Sequence, residues 1–324
     1  MMDRRAFIAG TLALLVVPLA AEAQAPRRIA RIGVLSAGAA SDARVEDLRR
    51  ELLELGYVEG QNLSTTYRWA DGRLDRLPEL AAELVAGTPD VIIAIGPAVW
   101  AVKQATSSVP IVIAFSGDPV SNGVVSNLAR PGGNITGFSY MSTDLAAKRL
   151  ELLNQMLAAH SRIAILYNPD EPATAPEMRQ TEAAARTIGV TLYPLAARRV
   201  DDLEALFAAA IRERVHGLLV FTHGFAVLHQ GRIIELAARQ RLPTMYGWRD
   251  FVRDGGLMSY GPDLQVIIRR AASYIDRIVR GERPGNLPVE QPTKFELVIN
   301  LKTANALGLT IPPSVLARAD EVIQ

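Results

Sequence analysis

The chain has no cysteine in its 324 residues. Disulfides, thiolate metal sites, a cysteine nucleophile and an N-terminal lipid-bearing cysteine are therefore excluded. Lysine is scarce, confined to Lys103, Lys148, Lys294 and Lys302, and the formal net charge is only +1. A balance so close to neutral gives no sign of an electrostatic nucleic-acid binder. The histidines, His160, His216, His223 and His229, are scattered and form no HExxH or comparable metal spacing. No GxGxxG follows the first strand and no acidic residue closes the second, which argues against a dinucleotide site; no GxxxxGK[ST] loop is present either. A Ser–His–Asp triad can be written from Ser116, Asp118 and His223, but no nucleophile-elbow sequence surrounds the serine. Beyond Ala23 no apolar run is long enough to cross a membrane.

What is present begins with an export signal. Arg4-Arg5 precede the apolar run Ala6–Ala21, and Ala21-Glu22-Ala23 has the small-x-small form of a cleavage site. Residues 1–23 are read as a signal peptide, with the mature chain starting near Gln24 and working outside the cytoplasm. The run is short for a membrane anchor. The paired arginines fit a twin-arginine route as well as the general one, and the two stay open.

The mature chain is organised around Pro110–Tyr140. Ile111–Phe115 is an apolar strand of the kind covered on both faces, and Ser116-Gly117-Asp118-Pro119 stops it. A polar loop and the breaker cluster Pro131-Gly132-Gly133-Asn134 lead to a second extended run, Ile135–Tyr140. Before this stretch strands and helices alternate: Arg31–Leu35, a helix with Val45, Leu48, Leu52 and Leu55 on one face, Leu63–Trp69, a second helix, Val91–Ile95, and a helix opened by Gly96-Pro97. After it the same order repeats, with strands at Ile163–Tyr167, Val190–Leu195, Leu218–Phe221 and Thr244–Trp248. One helix is expected from Thr222-His223-Gly224 to about Arg239, and Asp201 with Glu204 is spaced like a capping box. The tail holds Leu257–Tyr260, a long helix capped by Asp263, a Pro/Gly-rich connector from Pro284 to Pro292, and the strand Phe295–Ile299.

Alternation with short connections means parallel sheets and right-handed crossovers, with ligands gathering beyond the carboxyl ends of the strands. The fold class is α/β, in two lobes facing each other across a cleft. The first lobe is expected to span residues 28–137 plus 262–286 and the second 138–261 plus 287–324, with crossovers near Gly137, Pro262 and Pro288. The cleft candidates are strand-end residues. Ser36, Gly96, Pro97, Phe115, Ser116, Asp118 and Ser139 come from the first half. Asn168, His223, Tyr246, Trp248 and Tyr260 come from the second. Alternation along a strand prevents all the aromatics from facing one ligand, and Trp248 is the one expected to do so. Ser116, Asp118 and Asn168 are expected to orient a polar end, although Gly, Ser, Asn and Asp also belong in such turns as turn formers.

FSGDPVSNGVVSNLARPGGNITGFS resembles the GDPV…G…LARPGGNVTG signature of ABC-importer substrate-binding proteins. ILYNPDEP, GGLMSYGPD and LPVEQPTKFELVINLKTANALGLTIP are similar to that family's other characteristic segments, so the resemblance covers nearly the whole mature chain. Its branch is the one often labelled tryptophan/tyrosine importer binding protein. One departure is Gly96-Pro97-Ala98, where a GTPAA-like opening is usual. The resemblance implies a type I periplasmic-binding-protein fold with two Rossmann-like lobes and three crossovers. It also implies no catalytic residues and no cofactor, an ABC permease in the inner membrane as partner, and an aromatic amino acid or related carboxylate as ligand. A periplasmic monomer that closes on a small molecule by a hinge is the expectation. A secreted enzyme using the same cleft is the alternative; the sensor domain of a repressor is disfavoured, because a signal peptide stands where a DNA-binding domain would be.

Overall fold

A computed structural model of the chain describes residues 29–40, 43–157 and 160–324. The proposed signal peptide and the side chains of Phe115 and Ser116 lie outside what is described. The first half runs β1 (Ala30–Ser36), α1 (Ala43–Glu54), β2 (Leu63–Trp69), α2 (Leu77–Ala86), β3 (Val91–Ile95), α3 (Ala98–Ala105), β4 (Ile111–Ser116) and β5 (Ile135–Ser139). The second runs α4 (Ser142–Asn154), β6 (Arg162–Tyr167), α5 (Thr174–Ile188), β7 (Thr191–Ala196), α6 (Asp202–Arg212), β8 (Gly217–Val220), α7 (Gly224–Leu228), α8 (Gln230–Arg239), β9 (Thr244–Tyr246), α9 (Arg249–Arg253) and β10 (Met258–Pro262). The tail adds α10 (Leu264–Val279), β11 (Val289–Glu290), β12 (Phe295–Asn300), α11 (Leu301–Leu307), α12 (Pro313–Leu316) and β13 (Glu321–Ile323).

Two sheets result. The first has the order β11-β5-β4-β3-β1-β2 and the second β13-β12-β10-β9-β8-β6-β7. Every pairing is parallel except β10 with β12. β12 follows β11 out of the first sheet and enters the second antiparallel to β10. The strands at the middle of each sheet have helices on both faces. In β3, Val91–Ile95, all five residues are buried. Val91 and Ile93 share a core with Val45 and Leu48 of α1 and Ile267 and Ile268 of α10, while Ile92 and Ala94 meet Leu80 and Leu84 of α2 and Val102 of α3. Alternation sends neighbours to opposite faces, and each buried aliphatic side chain contributes about 1.5–3 kcal/mol.

Several expected boundaries move. β5 stays in the first sheet through Ser139, and β11 joins that sheet beside it. The chain therefore changes sheets after Ser139, after Pro262 and after Glu290, later than expected at the first and third places. The cause at β11 is visible: Thr136 Oγ donates to Leu287 O at 2.8 Å, clamping the Pro/Gly-rich connector onto β5. The single helix expected up to Arg239 is two, broken at His229. The strand expected to reach Trp248 stops at Tyr246, because Trp248 is the extended cap residue of the short helix α9. Asp201 makes no capping bond; Asp202 instead accepts from the N–H groups of Arg198 and Arg199. Asp263 does cap α10, accepting from Gln265 N at 2.9 Å.

Candidate functional site

In both sheets the strand order reverses between the first and third strands of the half, at β1/β3 and at β6/β8. A doubly wound sheet opens a crevice at that reversal. The two crevices face each other and enclose a cavity of about 490 Å³, within the usual range for small-molecule sites. From the first lobe it is lined by Ser36 after β1, by Gly96 and Pro97 after β3, and by Trp100 one turn into α3. From the second it is lined by Glu171 after β6, His223 after β8 and Trp248 after β9, with Tyr140 at the first crossover. Gly96 needs its φ of +61° to turn the chain from β3 into α3, a conformation that favours glycine.

The lobes touch across this cavity. A Cβ on Gly72 would lie 2.6 Å from Leu228 Cδ2, and one on Gly117 would lie 3.4 Å from the Ala173 Cβ. One on Gly224 would stand 3.7 Å from Pro97 Cδ. Arg44, at the start of α1, places its guanidinium 4.9 Å from the ring centre of Trp248 in the opposite lobe. Tyr140 meets the same indole edge to face at 5.7 Å. Both geometries are favourable for an aromatic wall.

The second lobe's wall is charged as well as aromatic. Glu171 is buried, and its two carboxylate oxygens accept from Phe225 N at 2.7 Å and Gly224 N at 3.0 Å. His223, also buried, shares a 2.7 Å bond between Nε2 and Glu177 Oε2, while its Nδ1 is 3.9 Å from Glu171. Glu177 in turn meets Arg149 Nη1 at 3.4 Å. Arg149 is 1 % exposed, and its Nε donates to Tyr260 O at 2.8 Å. Burial alone would lower the His223 imidazole, but Glu177 and Glu171 together hold it above its ordinary value. Burial pushes the Glu171 carboxyl up, opposed by His223 and by the two amide donors. A cation placed between two carboxylates in a buried row accounts for the His223 shift, while the Glu171 shift is a burial effect that the same cation only partly offsets.

Of the residues expected at the cleft, Ser36, Gly96, Pro97, His223 and Trp248 line the cavity together. Five others do not line it. Asp118 spends its Oδ1 on the N–H groups of Val120 and Ser121, both at 3.1 Å. Asn168 likewise closes its own turn on Asp170 N, and Ser139 Oγ donates to Gly117 O while accepting from Met141 N. Tyr246 is fully buried, stacked on Phe251 at 4.7 Å, because its place in β9 sends it to the core face. Tyr260 packs beside Phe295, and its carbonyl, not its ring, meets Arg149. Nor do Ser116, Asp118 and His223 form a triad, since the histidine's carboxylate partner is Glu177 and Asp118 is occupied by its turn.

Sequence reasoning missed Trp100, Tyr140, Glu171 and the row behind Glu171. Signals existed. Glu171 sits in Asn168-Pro169-Asp170-Glu171-Pro172, a strand-end turn read only as a breaker. Arg149 falls four residues after Leu145 and four before Leu153, on the buried stripe of α4, where a charge needs an internal partner. Among the described residues no group of His, Asp or Glu side chains is placed to hold a metal ion, and no helix is long and apolar enough to cross a membrane.

Comparison with known proteins agrees with this architecture. A solved structure from Vibrio cholerae, described as a conserved domain protein, superimposes with a TM-score of 0.85 at 30% identity, covering 91% of this chain and all of that one. An ABC domain from Streptococcus pneumonia solved in complex with L-Trp gives 0.81 at 25% identity over 90% of this chain and 100% of its own. A tyrosine-binding protein of Clostridioides difficile is 24% identical over 262 residues, 80% of this chain and 75% of that protein. Residues 29–323 match the family described as ABC transporter substrate binding protein. With that match, and with two lobes closed on a cavity at their facing switch points, the chain belongs to the ABC transporter substrate-binding protein family.

Proposed function

We propose that this protein captures an aromatic amino acid, or a closely related aromatic carboxylate, in the interlobe cavity outside the cytoplasm and delivers it to an ABC permease. The observation that carries the ligand class is the pair of indoles, Trp100 from the first lobe and Trp248 from the second, lining one cavity together with the Tyr140 ring. An aromatic ligand between such walls gains area burial plus about 0.5–1.5 kcal/mol of stacking. The Streptococcus pneumonia relative holds L-Trp and the Clostridioides difficile relative is named for tyrosine, which supports the same class here.

Contacts from both lobes favour the closed arrangement, so closure follows ligand by population shift about the three crossovers. The reading is binding without chemistry. Thr174 Oγ stands 3.5 Å from His223 Nδ1 but is buried and donates to Asn168 O at 2.7 Å, so it is not a presented nucleophile. A single chain supplies both halves of the cavity, as a monomeric carrier requires. Export rests on Arg4-Arg5 and Ala21-Glu22-Ala23.

Calorimetry on the purified, ligand-stripped protein tests the class. L-tryptophan or L-tyrosine should bind with a dissociation constant in the micromolar range, about −8 kcal/mol. Saturable binding of a sugar or an aliphatic amino acid, with none of aromatic ligands, would overturn it.

A further inference from the structure

We propose that Glu171 is the residue that selects a ligand amino group, and that His223, Glu177 and Arg149 are positioning residues that hold its carboxylate in the cavity wall. The proposal deepens the aromatic-amino-acid reading and rests on it only for the remainder of the ligand.

Glu171 is one of three carboxylates at the cavity, with Asp250 and Asp254. The other two are solvent-exposed residues around α9 with partners of their own: Asp250 faces the positive charges of Arg44 and Arg253, and Asp254 accepts from Gln230 Nε2 at 2.6 Å. Glu171 differs on each count. It is 5 % exposed yet lines the cavity, and its cationic neighbour is His223 at 3.9 Å rather than an arginine. The Gly224 and Phe225 amides take one acceptor direction on each oxygen, and an ionised carboxylate has about four. The unused directions are available to a donor in the cavity. Pro97, the first-lobe residue facing Gly224, has no N–H to offer.

The loops around the cavity also consume their own amides. Gly38 N donates to Ser36, Val120 N and Ser121 N to Asp118, Asp170 N to Asn168, and Met141 N to Ser139. Among the described strand-end groups Glu171 is a fixed acceptor beside loops that pair these amides internally. An ammonium group meeting a buried carboxylate makes a charge-assisted hydrogen bond, roughly twice as strong as a neutral one. The charges around it are His223 and Glu177 in the row, Arg149 at its far end, and the phenol of Tyr140 nearby. His223 keeps Glu171 from standing as an isolated buried anion, and Glu177 with Arg149 keeps His223 in place.

The experiment compares ligand pairs that differ only in the amino group. These are L-tryptophan against indole-3-propionate and L-tyrosine against 3-(4-hydroxyphenyl)propionate; tryptamine, the amine without a carboxylate, is a separate control. Wild-type protein should prefer the amino-bearing member on the order of 10- to 100-fold. Glu171→Gln should bring each pair within about threefold, mainly by weakening the amino-bearing member. Glu171→Asp, which keeps the charge, should restore part of the preference. His223→Gln should retain the preference at its optimum but shift the pH profile of binding, which a purely structural role would not do. Wild-type calorimetry in buffers of different ionisation enthalpy needs no variant. Over the pH range in which Glu171 titrates, which burial places above the ordinary carboxylate range, amino-bearing ligands should release more protons than their deaminated partners, because a bound cation favours the ionised Glu171. Equal affinity within the wild-type pairs, or an undiminished preference in folded Glu171→Gln, would overturn the assignment. Aliphatic amino acids binding with the same loss on Glu171→Gln would overturn the aromatic reading and leave Glu171 standing. Aromatic acids binding without regard to the amino group would do the reverse.

Discussion

The two lobes share a strand order and line their common cavity with different chemistry. The first lobe presents mostly small and apolar groups, Ser36, Gly96, Pro97 and Val99, with Trp100 as its large ring and Arg44, set over Trp248, as a charge at its edge. Behind them lie the aliphatic side chains of β1, β3 and α3. The second presents Glu171 and His223 beside Trp248, and behind them Glu177 and Arg149. One wall is defined by shape, the other by a buried row of alternating charge. In a binding protein closed by a hinge the two serve different ends. An apolar wall accepts any ligand that fits and stabilises it by area. A fixed charge row rejects a ligand lacking the matching group, because an unpaired buried charge costs more than a missed apolar contact. The comparison assigns affinity to both lobes and polar selectivity to the second.

Removing Arg149 attacks the comparison most strongly. Arg149→Ala leaves Glu177 buried and without its guanidinium, and also removes a donor from Tyr260 O near the second crossover. Breaking a buried pair from one side costs about 3–5 kcal/mol. Truncating a neutral hydroxyl in the first wall, Ser36→Ala, loses one bond to Gly38 N and costs about 1 kcal/mol. Urea unfolding of the two variants measures the contrast. Losses of similar size would mean that the charge row is no more critical than the apolar wall.

The second way to sharpen it uses pH. His223 is held above its ordinary value of 6.5 by Glu177 and Glu171, against its own burial. The folded chain therefore binds that proton more tightly than the unfolded chain. The resulting stability is fully present below about pH 6.5 and is lost as pH rises through the folded-state value. Glu171, raised by burial, acts with the same sign: its cost appears as pH climbs past its ordinary 4.5 and through its folded value. Stability of the wild type should fall from mildly acid toward alkaline pH, by about 1.4 kcal/mol for each unit by which a group is raised. His223→Gln should flatten the upper part of that fall. Thermal unfolding of both proteins between pH 5 and 9 (an interval of about four units around the ordinary histidine value) is the measurement. Parallel curves would show that His223 is not charged in the fold.

Most of the architecture was legible because it depends on local rules. Apolar runs bounded by Pro and Gly gave the buried strands, and the duplicated order gave two facing sheets. Strand-end positions gave Ser36, Gly96, Pro97, His223 and Trp248 at the cavity. What was illegible depends on partners distant in sequence. Tyr246 and Trp248 are separated by one residue, and alternation alone would send them to the same side. β9 ends at Tyr246, however, and Trp248 begins a new element, so their side chains part, one into the core and one to the cavity. The role of Glu177 follows from His223 and Arg149, 46 and 28 positions away, which no local pattern reveals. β11 belongs to the first sheet because Thr136 holds its connector, a contact across 151 positions.

The smallest expected effect concerns Asp118, where turn chemistry and ligand chemistry look alike in sequence. Its Oδ1 receives Val120 N and Ser121 N, so it fixes the loop after β4 from within and does not line the cavity. Losing such a cap costs about 1 kcal/mol. Asp118→Ala should therefore lower stability by about that amount and leave the preference for an amino-bearing ligand intact. Asp118→Asn keeps an oxygen acceptor and should behave like the wild type. Glu171→Gln has the opposite profile, with a large change in preference. The two carboxylates can thus be separated in one assay that pairs an unfolding curve with L-tryptophan and indole-3-propionate titrations. If Asp118→Ala abolished the amino preference while the protein remained folded, a polar selector would belong to the first lobe, and the division between a shape-defining wall and a charged wall would be wrong.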